Sequence, residues 1–284
     1  MTERHDIDHP HDHDDEHELE DHDRGLGFDL QTLRHRRAVL GLLGAGAAGV
    51  GAAVLLGSGG SGSLATAASA AGSCTEIPEE TAGPYPGDGS NGPDVLTETG
   101  IVRRDIRSSF GSSSGRAAGV PFRFTFELQD ADSCQPVTAG LAVYAWHCNR
   151  DGKYSMYSEG VTDQNYLRGV QITNAKGRVR FRSIYPACYS GRWPHVHFEV
   201  YRSRHAATHG GDILVTSQMA LGRKPSMHVY RNAPGYGASV TNLEQISLKS
   251  DNVFGDDGGV HQLATMSGSI ERGYHARLVV PVSI

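Results

Sequence analysis

The 284-residue sequence predicts an all-β fold, a β-sandwich with long loops and little helix. Three observations carry this expectation. Strand-length alternations of apolar and polar residues recur from residue 121 onward, Gly, Pro, Asp and Ser separate them, and hardly any stretch repeats its apolar residues with helical period. Short strands punctuated by turns are what two packed antiparallel sheets require.

Taken in order, the chain opens on a segment that belongs to no core. Met1 to Arg24 holds eleven Asp or Glu, two Arg and six His, a formal charge of −9. Such charge density without apolar partners predicts a disordered, acidic, His-rich tail over residues 1–33 rather than a metal-binding tract. Arg34-His35-Arg36-Arg37 comes next, then Ala38 to Gly57 without a charge, then a Gly, Ser and Ala stretch ending at Ala68-Ser69-Ala70. A basic, apolar and small-residue order over 34–70 is the layout of an export signal, and Arg36-Arg37 points to the twin-arginine route. A retained membrane span is the competing reading, because twenty apolar residues can cross a bilayer. Six glycines in the run favour a cleaved signal. The expected product is extracellular or bound at the cell surface, and meets a membrane only through that signal.

Residues 71–284 are read as the sandwich domain, long enough to bury a sizeable core. Strands are predicted at 121–128, where Phe122, Phe124 and Phe126 alternate, and at 141–148, 178–184, 195–201, 213–221 and 276–284. Asn232 to Gly259, rich in Gly, Asn, Asp and Ser, is predicted as a long loop with a short helix. From Ala71 onward 21 Lys or Arg oppose 20 Asp or Glu, a balance that gives no footprint for nucleic acid. Cys74, Cys134, Cys148 and Cys188 all follow the signal, which in an exported chain predicts two disulfides among three possible pairings. A Cys/His zinc site is the other reading of these residues, and the lack of any Cys-x-x-Cys spacing counts against it.

The densest chemistry lies at Tyr189-Ser190-Gly191-Arg192-Trp193-Pro194-His195-Val196-His197. On a strand, His195 and His197 share one face while Val196, Phe198 and Val200 share the other. Two imidazoles so placed can reach one ion, and Tyr189 can fold back over the same face as a hard oxygen donor.

Together, Trp146-His147, Gly152-x-Tyr154-Ser155, Tyr185-Pro186-x-x-Tyr189 and Gly191-Arg192-x-Pro194-His195-x-His197 resemble the intradiol ring-cleavage dioxygenases, the catechol and protocatechuate dioxygenase superfamily. The resemblance runs over roughly residues 74–284 and implies a β-sandwich catalytic domain. It also implies a non-haem Fe(III) held by Tyr154, Tyr189, His195 and His197, since phenolates are hard donors that favour the ferric ion. Zinc is the alternative for such ligands. The implied reaction cleaves a catecholic ring with O2 to a cis,cis-muconate-type diacid. Tyr189 is the implied axial ligand that leaves as substrate chelates, with His195 opposite it and Tyr154 and His197 remaining equatorial. A released tyrosinate can take a substrate proton. Arg192 matches the family arginine over the substrate ring, where it would stabilise developing negative charge. Gln218 matches a glutamine lining that pocket, and Thr81-Ala82-Gly83-Pro84-Tyr85 resembles the segment at its mouth.

Tyr157 is the rival ligand, but the Gly-x-Tyr-Ser pattern selects Tyr154. If both tyrosines meet at one metal, a Cys148 to Cys188 bridge is expected, which leaves Cys74 with Cys134. Asp251-Asn252-Val253-Phe254 resembles a family segment to which no chemistry is assigned, with Phe254 expected as a packing anchor. His147 is expected in the core, and His205, His209, His228, His261 and His275 in loops. No helical dimerisation segment precedes the domain, and the Tyr189 to His195 interval is shorter than in the cytosolic enzymes, which predicts a more open pocket. The oligomer and the identity of the catechol stay open. The alternative function is a non-catalytic secreted module that binds iron or a catechol-bearing ligand.

Overall fold

A computed structural model describes residues 74–138 and 140–284. The predicted tail and signal segments lie outside these residues. The elements are β1 (Pro121–Asp130), β2 (Ala142–Trp146), β3 (Arg168–Ile172), β4 (Arg178–Ile184), β5 (His195–Tyr201), α1 (Arg204–Thr208), β6 (Ile213–Ala220), α2 (Arg223–Asn232), α3 (Gly237–Gln245), β7 (Thr265–Ser269) and β8 (Gly273–Val282). The strands form two four-stranded sheets, ordered β4-β1-β8-β7 and β3-β2-β5-β6, as the sandwich expectation requires. Every adjacent pair is antiparallel except β1 with β8, which run parallel.

Alternation decides which side of each strand faces the other sheet. Phe122, Phe124, Phe126 and Leu128 of β1 meet Val196, Phe198 and Val200 of β5 in one buried cluster, with Phe126 and Phe198 ring centroids 4.5 Å apart. Burying each of these side chains contributes about 1.5–3 kcal/mol. The two sheets differ on their outer sides. Arg123, Arg180, Arg182, His275 and Arg277 are exposed on the first sheet, whereas every residue of β2 and of β5 is buried. The cover over the second sheet is a second cluster, built from Val95, Leu96 and Ile101 of the segment before β1 with Tyr144, Trp146 and Tyr154. That segment is tied down by backbone bonds from Glu80 N–H to the Thr216 carbonyl (2.8 Å) and from Arg103 N–H to the Val170 carbonyl (3.0 Å).

Several expectations need correction. β3 and β7 lie outside the predicted strands, because Arg-Gly-Val-Gln-Ile offers only the single alternation of Val170 and Ile172 and Thr-Met-Ser-Gly-Ser offers none. α2 was also unforeseen: Pro225 reads as a breaker, yet it sits in the first turn, where a missing N–H costs nothing. His228 therefore lies on a helix, His205 on α1 and His275 on β8 rather than in loops. Asn232 to Gly259 does hold one short helix, α3, amid irregular chain. Cys74 and Cys134 form a disulfide, but Cys148 and Cys188 are buried thiols, not the expected bridge. Their sulfurs face different carbonyls, Cys148 Sγ that of Ala187 (3.8 Å) and Cys188 Sγ that of Arg192 (3.3 Å).

Candidate metal and active site

β5 carries the two histidines on the covered face of its sheet. His195 Nε2 and His197 Nε2 are 3.0 Å apart. The turn after β2 brings Tyr154 to them, its Oη 3.3 Å from His195 Nε2 and 3.2 Å from His197 Nε2. Gly152 permits this approach: its φ is +84°, and a Cβ there would meet Tyr189 Cβ at 3.2 Å. Tyr189 Oη lies 3.3 Å from His195 Nε2. Atoms bound about 2.0–2.2 Å from one ion at tetrahedral or octahedral angles are themselves about 2.8–3.6 Å apart. These four separations therefore fit atoms of one coordination sphere. Among the described residues no group of three or more His, Cys, Asp or Glu converges in this way, so the donor set depends on the two phenols.

Neighbours fix each donor. The Nδ1–H of His195 donates to the Trp193 carbonyl, which leaves Nε2 bare for a cation. His197 is stacked on Trp146, with centroids 5.0 Å apart and planes within 10°. Its Nδ1 is buried without a hydrogen-bond partner, so all its polar contacts are with the cluster. Tyr154 packs against Tyr85 at 5.0 Å between centroids, which puts the Thr81 to Tyr85 segment beside the donors. Tyr157 is not among them, because its hydroxyl accepts the Gly87 N–H at 2.9 Å. His147 is a core residue, bonded through Nε2 to Ser183 Oγ at 2.7 Å.

Burial keeps the candidate donors uncharged. Burial, then the Arg192 charge, push His195 down to about 3. Burial, then His195, push His197 well below the usual imidazole value. Both rings are therefore neutral at physiological pH, the form that ligates. Burial, then Tyr189, push Tyr154 well above the usual phenol range, so its phenolate forms readily only when a positive ion balances it.

Arg192 is fully buried beside this cluster. Its Nε donates to Asp251 Oδ2 at 3.1 Å and its Nη2 to Gln218 Oε1 at 2.7 Å. Gln218 stands opposite His197 in the β5–β6 register, and its Nε2 donates to the Thr81 carbonyl at 2.9 Å. All six predicted site residues thus share one region. Sequence reasoning missed Asp251. Burial pushes its carboxyl up, but Arg192 and the N–H groups of Trp193, Phe254 and Val253 outweigh burial and hold it below the ordinary range. The signal for it was the need of a buried arginine for a counter-ion, which spacing alone cannot assign. Arg168 was also missed. Fully buried, it donates to the Ser155 hydroxyl (3.1 Å) and carbonyl (2.9 Å) and to the Pro86 carbonyl (2.8 Å), clamping the turn of Tyr154 to the segment of Tyr85.

Residues 91–210 match the Dioxygenase_C family model, described as dioxygenase, a span holding Tyr154, Tyr189, Arg192, His195 and His197. A chlorocatechol 1,2-dioxygenase of Rhodococcus opacus is 38% identical over 71 residues, 25% of this chain and 27% of that enzyme. The match thus spans about a quarter of that relative. An intradiol ring-cleavage dioxygenase of Tetranychus urticae superposes with a TM-score of 0.59 at 22% identity, over 74% of this chain and 95% of that one. A second dioxygenase structure gives 0.58 at 23% identity with the same coverage. These two structures share the fold of this chain.

Proposed function

We propose that this chain is a non-haem Fe(III)-dependent intradiol dioxygenase that opens the ring of a catecholic aromatic with O2, giving a cis,cis-muconate-type diacid. The observation that carries the reading is the convergence of Tyr154, Tyr189, His195 and His197 within 3.0–3.3 Å contacts, with Arg192 buried beside them. Two neutral imidazoles and two phenols suit a hard trivalent ion. The ion would act as a Lewis acid on a chelated catecholate, making a ring carbon open to O2.

The residues divide the remaining work. Tyr189 is half-buried while Tyr154 is fully buried, so Tyr189 is the phenol that would give way to substrate and take a proton from a substrate hydroxyl at its Oη. Tyr154 and the two histidines stay, held by Tyr85, Trp146 and the Trp193 carbonyl. Arg192 keeps a fixed positive charge beside the donors because Asp251 and Gln218 hold its guanidinium from two sides. A pre-oriented charge stabilises negative oxygen without reorganisation during the reaction.

The test is a visible spectrum of the purified iron-loaded chain, titrated with catechol without oxygen and then mixed with O2. A tyrosinate band that moves to longer wavelength with catechol and decays on oxygenation to a muconate is expected. His197→Ala abolishes both the band and the product. A catechol complex that survives O2 unchanged would instead identify a binding module.

The proposal includes export by the twin-arginine route, which rests on Arg36-Arg37 and the uncharged run after them. The Cys74–Cys134 disulfide suits an oxidising compartment. Replacing Arg36 and Arg37 by Lys should keep the protein inside the cell; undiminished secretion would remove this part.

A further inference from the structure

The outer face of the β4-β1-β8-β7 sheet concentrates arginines. In the register, Arg182, Arg123, His275 and Ser267 lie side by side across β4, β1, β8 and β7, and Arg180, Thr125, Arg277 and Thr265 form the next row. Arg178, Glu127 and Val279 form the third. Arg123, Arg180, Arg182 and Arg277 are exposed, as is Arg104, whose carbonyl accepts the Arg182 N–H at 2.8 Å. Glu127 is the acid of these rows, and both Arg178 and Arg277 pair with it. At the β4 edge Asp105, opposite Arg182, is held by Arg107. Arg123, Arg180 and Arg182 thus have no carboxylate partner among the described residues. Like charges directly opposite on neighbouring strands destabilise a sheet unless an anion covers them, and Arg123 lies directly opposite Arg182. Burial, then Arg180, Arg123 and Arg277, hold His275 below its usual value, so the arginines carry the charge.

We propose that this face binds an acidic polysaccharide, a polymer that carries carboxylates and hydroxyls together. Three properties of the face select that chemistry. The charged cations of its rows are all arginines, whose planar forks match carboxylates through paired hydrogen bonds that the point charge of a lysine does not make. The exposed hydroxyls of Ser267 and Thr265 stand in the same rows, beside His275 and Arg277. Neighbouring positions are about 4.8 Å apart across the strands and about 6.8 Å apart along them, so one bound chain meets both kinds of partner. The third property is the lack of what other polyanions use. None of the outward positions of these strands is aromatic, so nucleic-acid bases find no stacking platform. Val279 is the one exposed large hydrophobic among them, too little to enter a bilayer. Four strands abreast are also too broad for a duplex groove, which admits a helix or a two-stranded ribbon. The inference stands independently of the ring-cleavage reading, since the arginine rows and the donor cluster lie on opposite sheets.

The test measures the affinity of the full chain for immobilised polygalacturonate, with its methyl ester as the uncharged comparator and with duplex DNA and phosphatidylglycerol vesicles as the other polyanions. Esterification should abolish binding. Raising the ionic strength from about 0.01 M to about 0.15 M, which shortens the screening length from about 30 Å to about 8 Å, should weaken it at least about tenfold. The combined substitutions Arg123→Gln, Arg180→Gln and Arg182→Gln should also weaken it at least about tenfold, with the thermal midpoint held because these side chains are exposed. Lysine at the same three positions should recover only part of the affinity, since charge returns without the fork. Arg202→Gln, Arg204→Gln and Arg231→Gln remove equal charge elsewhere on the surface and should leave binding unchanged. No binding at low ionic strength would overturn the proposal, as would equal affinity for the methyl ester, equal loss from the two sets of glutamines, or full recovery with lysine. Duplex DNA or vesicles bound as tightly as polygalacturonate at the higher ionic strength would also overturn it, making that polyanion the occupant.

Discussion

The two sheets present opposite outer faces built from the same alternation. On β1, β4 and β8, buried phenylalanines and valines alternate with exposed Arg123, Arg180, Arg182 and Arg277. On β5, Val196, Phe198 and Val200 alternate with His195, His197, Glu199 and Tyr201, which are polar and yet buried, because the chain before β1 lies across them. Polar groups on the first face are solvated and individually expendable. Those on the second have lost water and depend on one another, which makes them both fragile and chemically useful.

Removing a charge partner should separate the faces most sharply. Asp251→Ala strands the Arg192 guanidinium in a site where both side chains are at most 1% exposed, so a loss of about 3–5 kcal/mol in denaturant unfolding is expected. Arg277→Ala on the open face, where the arginine side chain is 52% exposed, should cost no more than about 1 kcal/mol. Equal losses would erase the distinction.

Arg168→Met tests whether a buried clamp acts on the donors. Turnover should fall roughly 10–100-fold with a shifted tyrosinate band, because the Tyr154 turn loses its anchor to Pro86, and Arg168→Lys should recover part of it. Arg180→Met should leave turnover unchanged.

Acid should act through the core between the two sheets, where His147 meets Ser183 and Phe124. Burial pushes His147 down to about 4. The unfolded chain binds this proton near pH 6.5 and the folded chain only near 4, so stability is full above about 6.5 and is lost as pH falls toward 4. The slope is about 1.4 kcal/mol per pH unit for such a group, and His147→Gln should flatten the urea-midpoint profile of the metal-free protein.

An effect of the opposite pH sign is expected at Glu80, which burial pushes up to about 7 despite the Gln262 hydrogen bond. Its stabilising contribution is complete below about 4.5 and is lost as pH rises through 7. Glu80→Gln should therefore raise the midpoint of thermal unfolding at pH 8 and leave it nearly unchanged at pH 4.5.

Much of the fold was legible because alternation has a local cause. β4 and β5 begin and end where the pattern does, and β1 exceeds its predicted span only at its end. β3 carries only the short alternation of Val170 and Ile172 and β7 none, and both are strands because β2 and β8 pair with them. The site divides in the same way. His195 and His197 share a face by strand geometry alone, and Tyr154, Tyr189, Arg192 and Gln218 were identified through motif resemblance. Asp251 and Arg168 were not, since their roles depend on groups 59 and 13 residues away in sequence.

By itself the sequence determined the sandwich class and the inward faces of the strands, and it nominated Tyr154, Tyr189, His195 and His197 as the candidate donors, because each depends on residues close together or on a recognisable pattern. Only the tertiary structure decided that β1 and β8 run parallel, that Cys148 and Cys188 stay apart as thiols, and that Asp251 balances Arg192. It also decided which outer face is covered. These outcomes depend on which distant segments meet once water is excluded, and local periodicity carries no record of that.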